Sequence, residues 1–143
     1  MKSLVIYDSF FGNTKLLAEA IGKELGDDTR VLHVSDFKKE DMQGVELLIV
    51  GSPILGWRPS ENTMAFLMGF GKDQLKGIKV ATFDTRMKIL IHGDATKKMS
   101  EMLLSLGAEV ISKPNWFIVT GKEGPLADGE LDRAKEWGKG LKF

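Results

Sequence analysis

The segment Glu46-Leu47-Leu48-Ile49-Val50-Gly51 has no polar side chain between its opening glutamate and its closing glycine. A strand alternates its side chains between two faces, so an unbroken apolar run buries both of them. Strands covered on both sides belong inside a parallel sheet, where crossover helices supply the cover. Gly51-Ser52-Pro53 ends the run with residues that favour turns. This one segment therefore demands helices on both faces of a sheet, with enough chain around it to build them.

The rest of the sequence meets that demand. Ser3-Leu4-Val5-Ile6-Tyr7 is a short β-prone run stopped by Asp8-Ser9. A turn at Gly12-Asn13 leads into a helix, with Leu16, Leu17, Ala20, Ile21 and Leu25 at helical spacing and Gly26 placed to end it. Val31-Leu32-His33-Val34 reads as a second strand, and the polar stretch Asp36 to Gln43 has too few apolar positions for a long helix. Ser60 is a candidate cap for a helix carrying Met64, Leu67 and Met68. Ile78 to Phe83 makes a fourth strand, and Ala95, Met99, Met102, Leu103 and Leu106 stripe a helix closed by Gly107. The Met64/Met68 and Met99/Met102 pairs fit core packing. Ala108 to Ile111 and Trp116 to Val119 supply a fifth strand, or two pieces interrupted by Lys113-Pro114-Asn115. Leu131, Ala134, Trp137 and Leu141 mark a last amphipathic helix. Short strands alternating with helices favour a doubly wound parallel α/β sheet. Without a repeat or linker to divide it, the chain reads as a single domain over residues 1–143.

Composition removes several kinds of chemistry. The chain has 143 residues and no cysteine, which excludes disulfides, thiolate metal sites, iron–sulfur clusters and thiol catalysis. Twenty basic and 20 acidic side chains balance, so nothing pulls the molecule as a whole toward nucleic acid or anionic membrane. No apolar run approaches the ~20 residues of a membrane helix, and the first residues lack the apolar stretch of a signal peptide. The expectation is a cytoplasmic protein without membrane insertion. His33 and His92 are too isolated for a metal or a catalytic dyad, and neither H-E-x-x-H nor G-x-S-x-G occurs. His33, within a strand, reads as structural. Chemistry must come from backbone, hydroxyls, aromatics or a borrowed cofactor.

In an open parallel sheet, ligands bind beyond the carboxyl ends of the strands. Three segments leave strands on that side: Ser9 to Thr14, Ser52 to Pro59, and Phe83 to Arg86. The first, Ser9-Phe10-Phe11-Gly12-Asn13-Thr14, carries two hydroxyls, an amide and a glycine, with no charge before Lys15. It can offer N–H and hydroxyl donors to a phosphate, helped by the positive end of the helix. It is neither a G-x-x-x-x-G-K-[ST] loop nor a G-x-G-x-x-G turn. The same residues also read as a plain helix cap, with Asn13 capping and Gly12 turning.

Ser9-x-x-Gly12-Asn13-Thr14 directly after a first strand resembles the phosphate loop of flavodoxin-like FMN-binding proteins, whose usual pattern is Thr/Ser-x-Thr-Gly-x-Thr. The chain departs from it at Phe11, where one hydroxyl donor is missing, so the resemblance implies weaker phosphate capture. Gly51 to Trp57, with Pro53, Ile54, Leu55, Gly56 and Trp57, resembles the second flavin loop, which covers one face of the isoalloxazine. Phe83-Asp84-Thr85-Arg86 resembles the third, and Gly93-Asp94-Ala95 opens the next helix as in such proteins. Gly124-Pro125-Leu126 and Gly129-Glu130-Leu131 are similar to a subgroup of short flavodoxin-domain proteins. The resemblance implies a five-stranded parallel sheet of order 2-1-3-4-5 with helices on both faces. It also implies FMN as cofactor, contacted by Ser9, Phe10, Phe11, Gly12, Asn13 and Thr14, by Pro53, Ile54, Leu55, Gly56 and Trp57, by Phe83, Asp84, Thr85 and Arg86, and by Gly93.

Single residues keep two readings each. Trp57 stacks on the flavin or packs on its own loop. Gly56 permits a peptide flip toward flavin N5, as the resemblance implies, or is an ordinary turn glycine. Asp84 and Arg86 bond the pyrimidine edge or pair with each other. Arg58 meets phosphate or substrate, or stays solvated. His92, Arg86, Lys88, Lys97 and Lys98 form a basic patch at the cofactor rim or a solvated face. Trp116 and Trp137 read as structural.

The function implied is electron transfer between redox partner proteins, by a monomer or homodimer and with no residue acting as acid or base. Two alternatives stand beside it. One is an NAD(P)H-dependent quinone or flavin reductase, or a porphyrinogen-oxidising enzyme, on the same fold. The other is a partner-binding module without FMN. Carrier flavodoxins are typically acidic, whereas this chain is balanced, with a pI near 6.7, so docking is expected to depend weakly on salt.

Overall fold

The computed structural model describes residues 2–55, 58–87 and 95–141, with the side chain of Leu55 outside that set. Strand β1 (Ser3–Tyr7) lies between β2 (Thr29–His33) and β3 (Leu47–Leu55), parallel to both. The other edge of β3 pairs in parallel with β5 (Lys79–Met87). Two short strands, β6 (Glu109–Val110) and β7 (Asn115–Val119), then share the free edge of β5, again in parallel. This is the expected 2-1-3-4-5 order, with the fifth strand in two pieces and Lys113-Pro114 at the break. An unexpected element is β4 (Arg58–Pro59), which pairs antiparallel with the end of β3.

The unbroken apolar run behaves as its composition demands. Leu47 and Ile49 face one layer with Val5, Ala81, Phe83 and Phe117. That layer is covered by α1 (Asn13–Leu25) and α4 (Glu130–Gly140). Leu48 and Val50 face the opposite layer with Leu4, Ile6 and Val80, under α2 (Glu61–Met68) and α3 (Ala95–Ser105). All four residues of the run are fully buried, each worth about 1.5–3 kcal/mol relative to exposure.

Two strands run further than their sequence suggests. β3 continues through Ser52 and Pro53 because these pair with Asp84 and Thr85 of β5. β5 in turn continues past Phe83 to Met87 because β7 bonds it from Phe83 through Met87. The expected loop Phe83-Asp84-Thr85-Arg86 is therefore strand. Gly51 is fixed by the same geometry: a Cβ there would lie 2.1 Å from the Phe83 ring.

Local signals fare unevenly. The Ser60 hydroxyl accepts the Thr63 N–H at 3.2 Å and caps α2 as expected. The polar stretch forms two 3-10 turns, Val34–Asp36 and Lys39–Met42. Met99 is buried, but Met68, at the last turn of α2, is 71% exposed and is not core. Trp137 packs on Phe83 and Phe117, whereas Trp116 is 46% exposed. The Glu130 carboxylate at the start of α4 accepts the Ile118 N–H at 2.7 Å and pairs with Arg133. Arg133 holds it below the usual carboxylate range.

Candidate functional site

The carboxyl end of β1 delivers the chain into the first rim segment. The Asp8 N–H donates to the Gly51 carbonyl at 3.1 Å, and Asp8 Oδ1 accepts the Ser9 N–H at 2.9 Å. His33 Nδ1 accepts the Ser35 N–H at 3.0 Å, which assigns the ring proton to Nε2, 3.1 Å from Asp8 Oδ1. His33 is thus structural, as the sequence suggests. Burial, reinforced by Glu19 and Asp36, pushes the Tyr7 phenol up from its ordinary value.

Ser9 Oγ accepts the Gly12 N–H at 3.1 Å and closes the loop. Gly12 sits at φ 91°, ψ −6°, in the left-handed region where glycine pays no steric penalty, and it is the residue that caps α1. Asn13, read from sequence as the cap, is instead the first helical residue. Its side-chain amide donates to the Glu123 carbonyl at 3.2 Å and ties the loop to the turn before α4. The N–H groups of Asn13, Thr14 and Lys15 open the helix, where no intrahelical acceptor can reach them and the helix dipole favours an anion.

Thr14 and Thr85 are buried and share a hydroxyl–hydroxyl hydrogen bond of 3.0 Å. They border a cavity of about 120 Å³ that also meets Ser9, Phe10, Phe11, Asn13, Pro53, Ile54, Arg86, Met87, Val119 and Lys122. A water occupies about 30 Å³ of liquid, so this space suits a phosphate and is too small for a tricyclic ring. Most of the sequence candidates on the first segment converge here, with Pro53 and Ile54 of the second and Thr85 and Arg86 of the third. Gly12 supplies the turn and Leu55 ends β3. Gly56, Trp57 and Gly93 lie outside the described residues, as do Lys88 and His92. Phe11 is half-exposed at the loop tip, beside Phe10.

Phe83 is not at this rim. It lies in the core beneath Gly51, with ring centroids 5.9 Å from Phe117 and 6.0 Å from Trp137. Asp84 and Arg86 form a bidentate ion pair, Nε to Oδ1 at 2.8 Å and Nη2 to Oδ2 at 2.6 Å, nearly sealed from solvent. Of the two readings of these residues, pairing is the one the structure displays. Asp84 Oδ2 also accepts the Thr96 N–H at 3.3 Å, and the Arg86 guanidinium lies 4.8 Å from the Trp116 ring centre. Arg58 is exposed and borders a separate groove next to Phe10.

Sequence reasoning missed Met87, Val119 and Lys122. Met87 and Val119 fall on strand ends that looked like loop or core. The signal for Lys122 is its place between Gly121 and Gly124, in the turn that Asn13 anchors.

Together these groups offer a phosphate three helix-opening N–H groups, hydroxyls and one ammonium. Ser9 Oγ uses its oxygen for Gly12 and keeps its hydrogen to donate. If Thr85 donates to Thr14, the Thr14 hydroxyl hydrogen is likewise available. The donor set therefore fits a phosphate-bearing ligand with the rest of its body above the cavity.

A protein-family model described as Flavodoxin matches residues 5–137. The chain is 38% identical over 65 residues to a flavodoxin of Aquifex aeolicus (strain VF5), covering 40% of this chain and 35% of that protein. That alignment spans about a third of the relative's length. The fold is similar to oxidised flavodoxin 1 of Bacillus cereus, with a TM-score of 0.79, 20% identity, and coverage of 96% of this chain and 95% of that one. It is also similar to the two-electron reduced flavodoxin of Megasphaera elsdenii, with a TM-score of 0.72, 21% identity, and coverage of 97% and 99%.

Proposed function

The chain belongs to the flavodoxin family, and on that premise we propose that it binds FMN without a covalent bond and carries electrons between partner proteins. The observation that carries this reading is the convergence of the α1 N-terminus, the Ser9 and Thr14 hydroxyls and Lys122 on one phosphate-sized cavity. FMN supplies the redox chemistry; the protein supplies binding, orientation and electrostatics.

The residues then divide the work. Asn13, Thr14 and Lys15 donate N–H groups to the phosphate, and Ser9 and Thr14 add hydroxyl donors. Lys122 adds positive charge, and charge-assisted bonds of this kind are about twice as strong as neutral ones. Asp84 holds Arg86 at the cavity wall and neutralises it. Pro53 and Ile54 border the same cavity and would offer apolar surface to the cofactor. Phe10 and Phe11, 53% and 50% exposed, form an uncharged rim where a partner protein docks. In this reading residues 1–143 act as one domain. Relatives described in an oxidised and in a two-electron reduced form support a redox role.

One observation favours a second reading as an enzyme. A groove of about 580 Å³ runs beside the cavity, shares Phe10 with it, and is bordered by Arg58, Pro59, Met64 and Met68. Its size lies within the range of small-molecule sites, so an FMN-dependent reductase could seat a small acceptor there. Stopped-flow mixing of the FMN-loaded chain with NADH and with NADPH separates the two. A carrier is expected to keep its flavin absorbance until a flavoprotein reductase is added. Rapid bleaching by either nucleotide alone would replace the carrier reading with the reductase.

A further inference from the structure

A cavity of about 440 Å³ lies between the 34–42 link and α2, and it shares no bordering residue with the phosphate cavity. Its size falls within the usual range for small-molecule sites. Three phenylalanines build its wall. Phe37 meets Phe66 edge-on with ring centroids 4.8 Å apart, and Phe66 meets Phe70 edge-on at 5.2 Å. Phe37 and Phe70 are only half-buried, so ring surface remains for an occupant. Aromatic stacking contributes about 0.5–1.5 kcal/mol beyond simple burial.

The polar side chains that border it are Ser35, Lys39, Asn62 and Gln74. Lys39 brings an ammonium, and Asn62 a side-chain amide. The Gln74 oxygen is taken by the Gly71 N–H at 2.7 Å, which leaves its NH₂ to donate. Ser35, also at the mouth, is occupied with His33 Nδ1 at 2.8 Å. Among the described residues no carboxylate borders the cavity. Asp41, on the same 3-10 turn as Lys39, is held by Arg30 at 2.6 Å and by the Lys38 N–H at 2.7 Å.

An aromatic wall beside the Lys39 ammonium, with no carboxylate bordering among the described residues, selects for a flat ring bearing a negative charge. We propose that this cavity is a second ligand site, and that it takes a small planar aromatic anion such as an aryl carboxylate. The cofactor cavity needs no residue of this site, so the inference stands apart from FMN binding.

The test is a titration of the full ¹⁵N-labelled chain, saturated with FMN, with 1-naphthoate, followed by amide shifts. Saturable shifts are expected at residues 34–42 and 62–74, with FMN retained. Ala65, on the exposed side of α2, borders the cavity, and Ala65→Trp should fill it and abolish those shifts. The neutral 1-naphthalenemethanol should bind up to about fivefold more weakly, the scale of one exposed charge pair, and Lys39→Gln should remove that difference. No saturable shift at millimolar naphthoate would overturn the proposal. So would shifts at the Ser9–Thr14 loop with loss of FMN, or unchanged binding in Ala65→Trp. Equal affinity for acid and alcohol in the unaltered chain would overturn the assignment to an anion.

Discussion

Phe83→Ala is expected to lower folding stability by about 3–5 kcal/mol, while FMN affinity of the folded protein changes by no more than about twofold. The ring is fully buried and packs edge-on against Phe117 and Trp137. The Gly51 backbone presses on it so closely that a Cβ there would collide. β3 and β5 are hydrogen-bonded to each other at this point, so the cavity left by the alanine cannot close by a simple shift. A domain of this size is stable by about 5–15 kcal/mol in total, and the loss should move the urea midpoint far to the left. Flavin quenching below that midpoint reports the affinity. Intact stability with lost FMN binding would place Phe83 at the cofactor instead of in the core.

Asp84→Ala should cost a similar amount, about 3–5 kcal/mol, because it removes the carboxylate that binds the buried Arg86 guanidinium through both oxygens. The same change removes the acceptor for the Thr96 N–H at the start of α3. Asp84→Leu combined with Arg86→Met should recover most of that stability, since a buried ion pair replaced whole by apolar groups is often neutral. FMN affinity should not recover with it. Arg86 borders the phosphate cavity, and the double variant is expected to bind about tenfold more weakly, about 1.4 kcal/mol. Chemical denaturation and flavin quenching on the same three proteins read both quantities. A cost below about 1 kcal/mol for Asp84→Ala, the scale of a surface pair, would show that solvent reaches the pair.

The layering of this fold is written in Leu47 to Val50, because a strand apolar at every position has to be covered twice. The glycine at 12 and the serine at 60 announce their turns for reasons of backbone and capping chemistry that are local to them. Asp84 and Arg86 are where local reading stops. Charged residues are almost never fully buried unless paired, and the pairing of β7 with β5 together with the bidentate ion pair carries the strand through these two. Asn13 shows the same limit on a smaller scale, since its preference for a cap position is overridden by a carbonyl far along the chain, at Glu123. Lys122 could not be placed at the cavity before that contact was known. Met68 looked like core because its spacing from Met64 is helical, yet α2 ends there and turns it outward.

The proposed phosphate site is the Ser9–Thr14 loop with Lys122 beside it. Flavin fluorescence quenching with FMN and with riboflavin, which lacks the phosphate, tests it on the unaltered chain. FMN should bind with a Kd at or below about 1 μM and about 100-fold more tightly than riboflavin, a difference of about 2.7 kcal/mol. Equal affinity for the two flavins, or no quenching by FMN at micromolar protein, would contradict it.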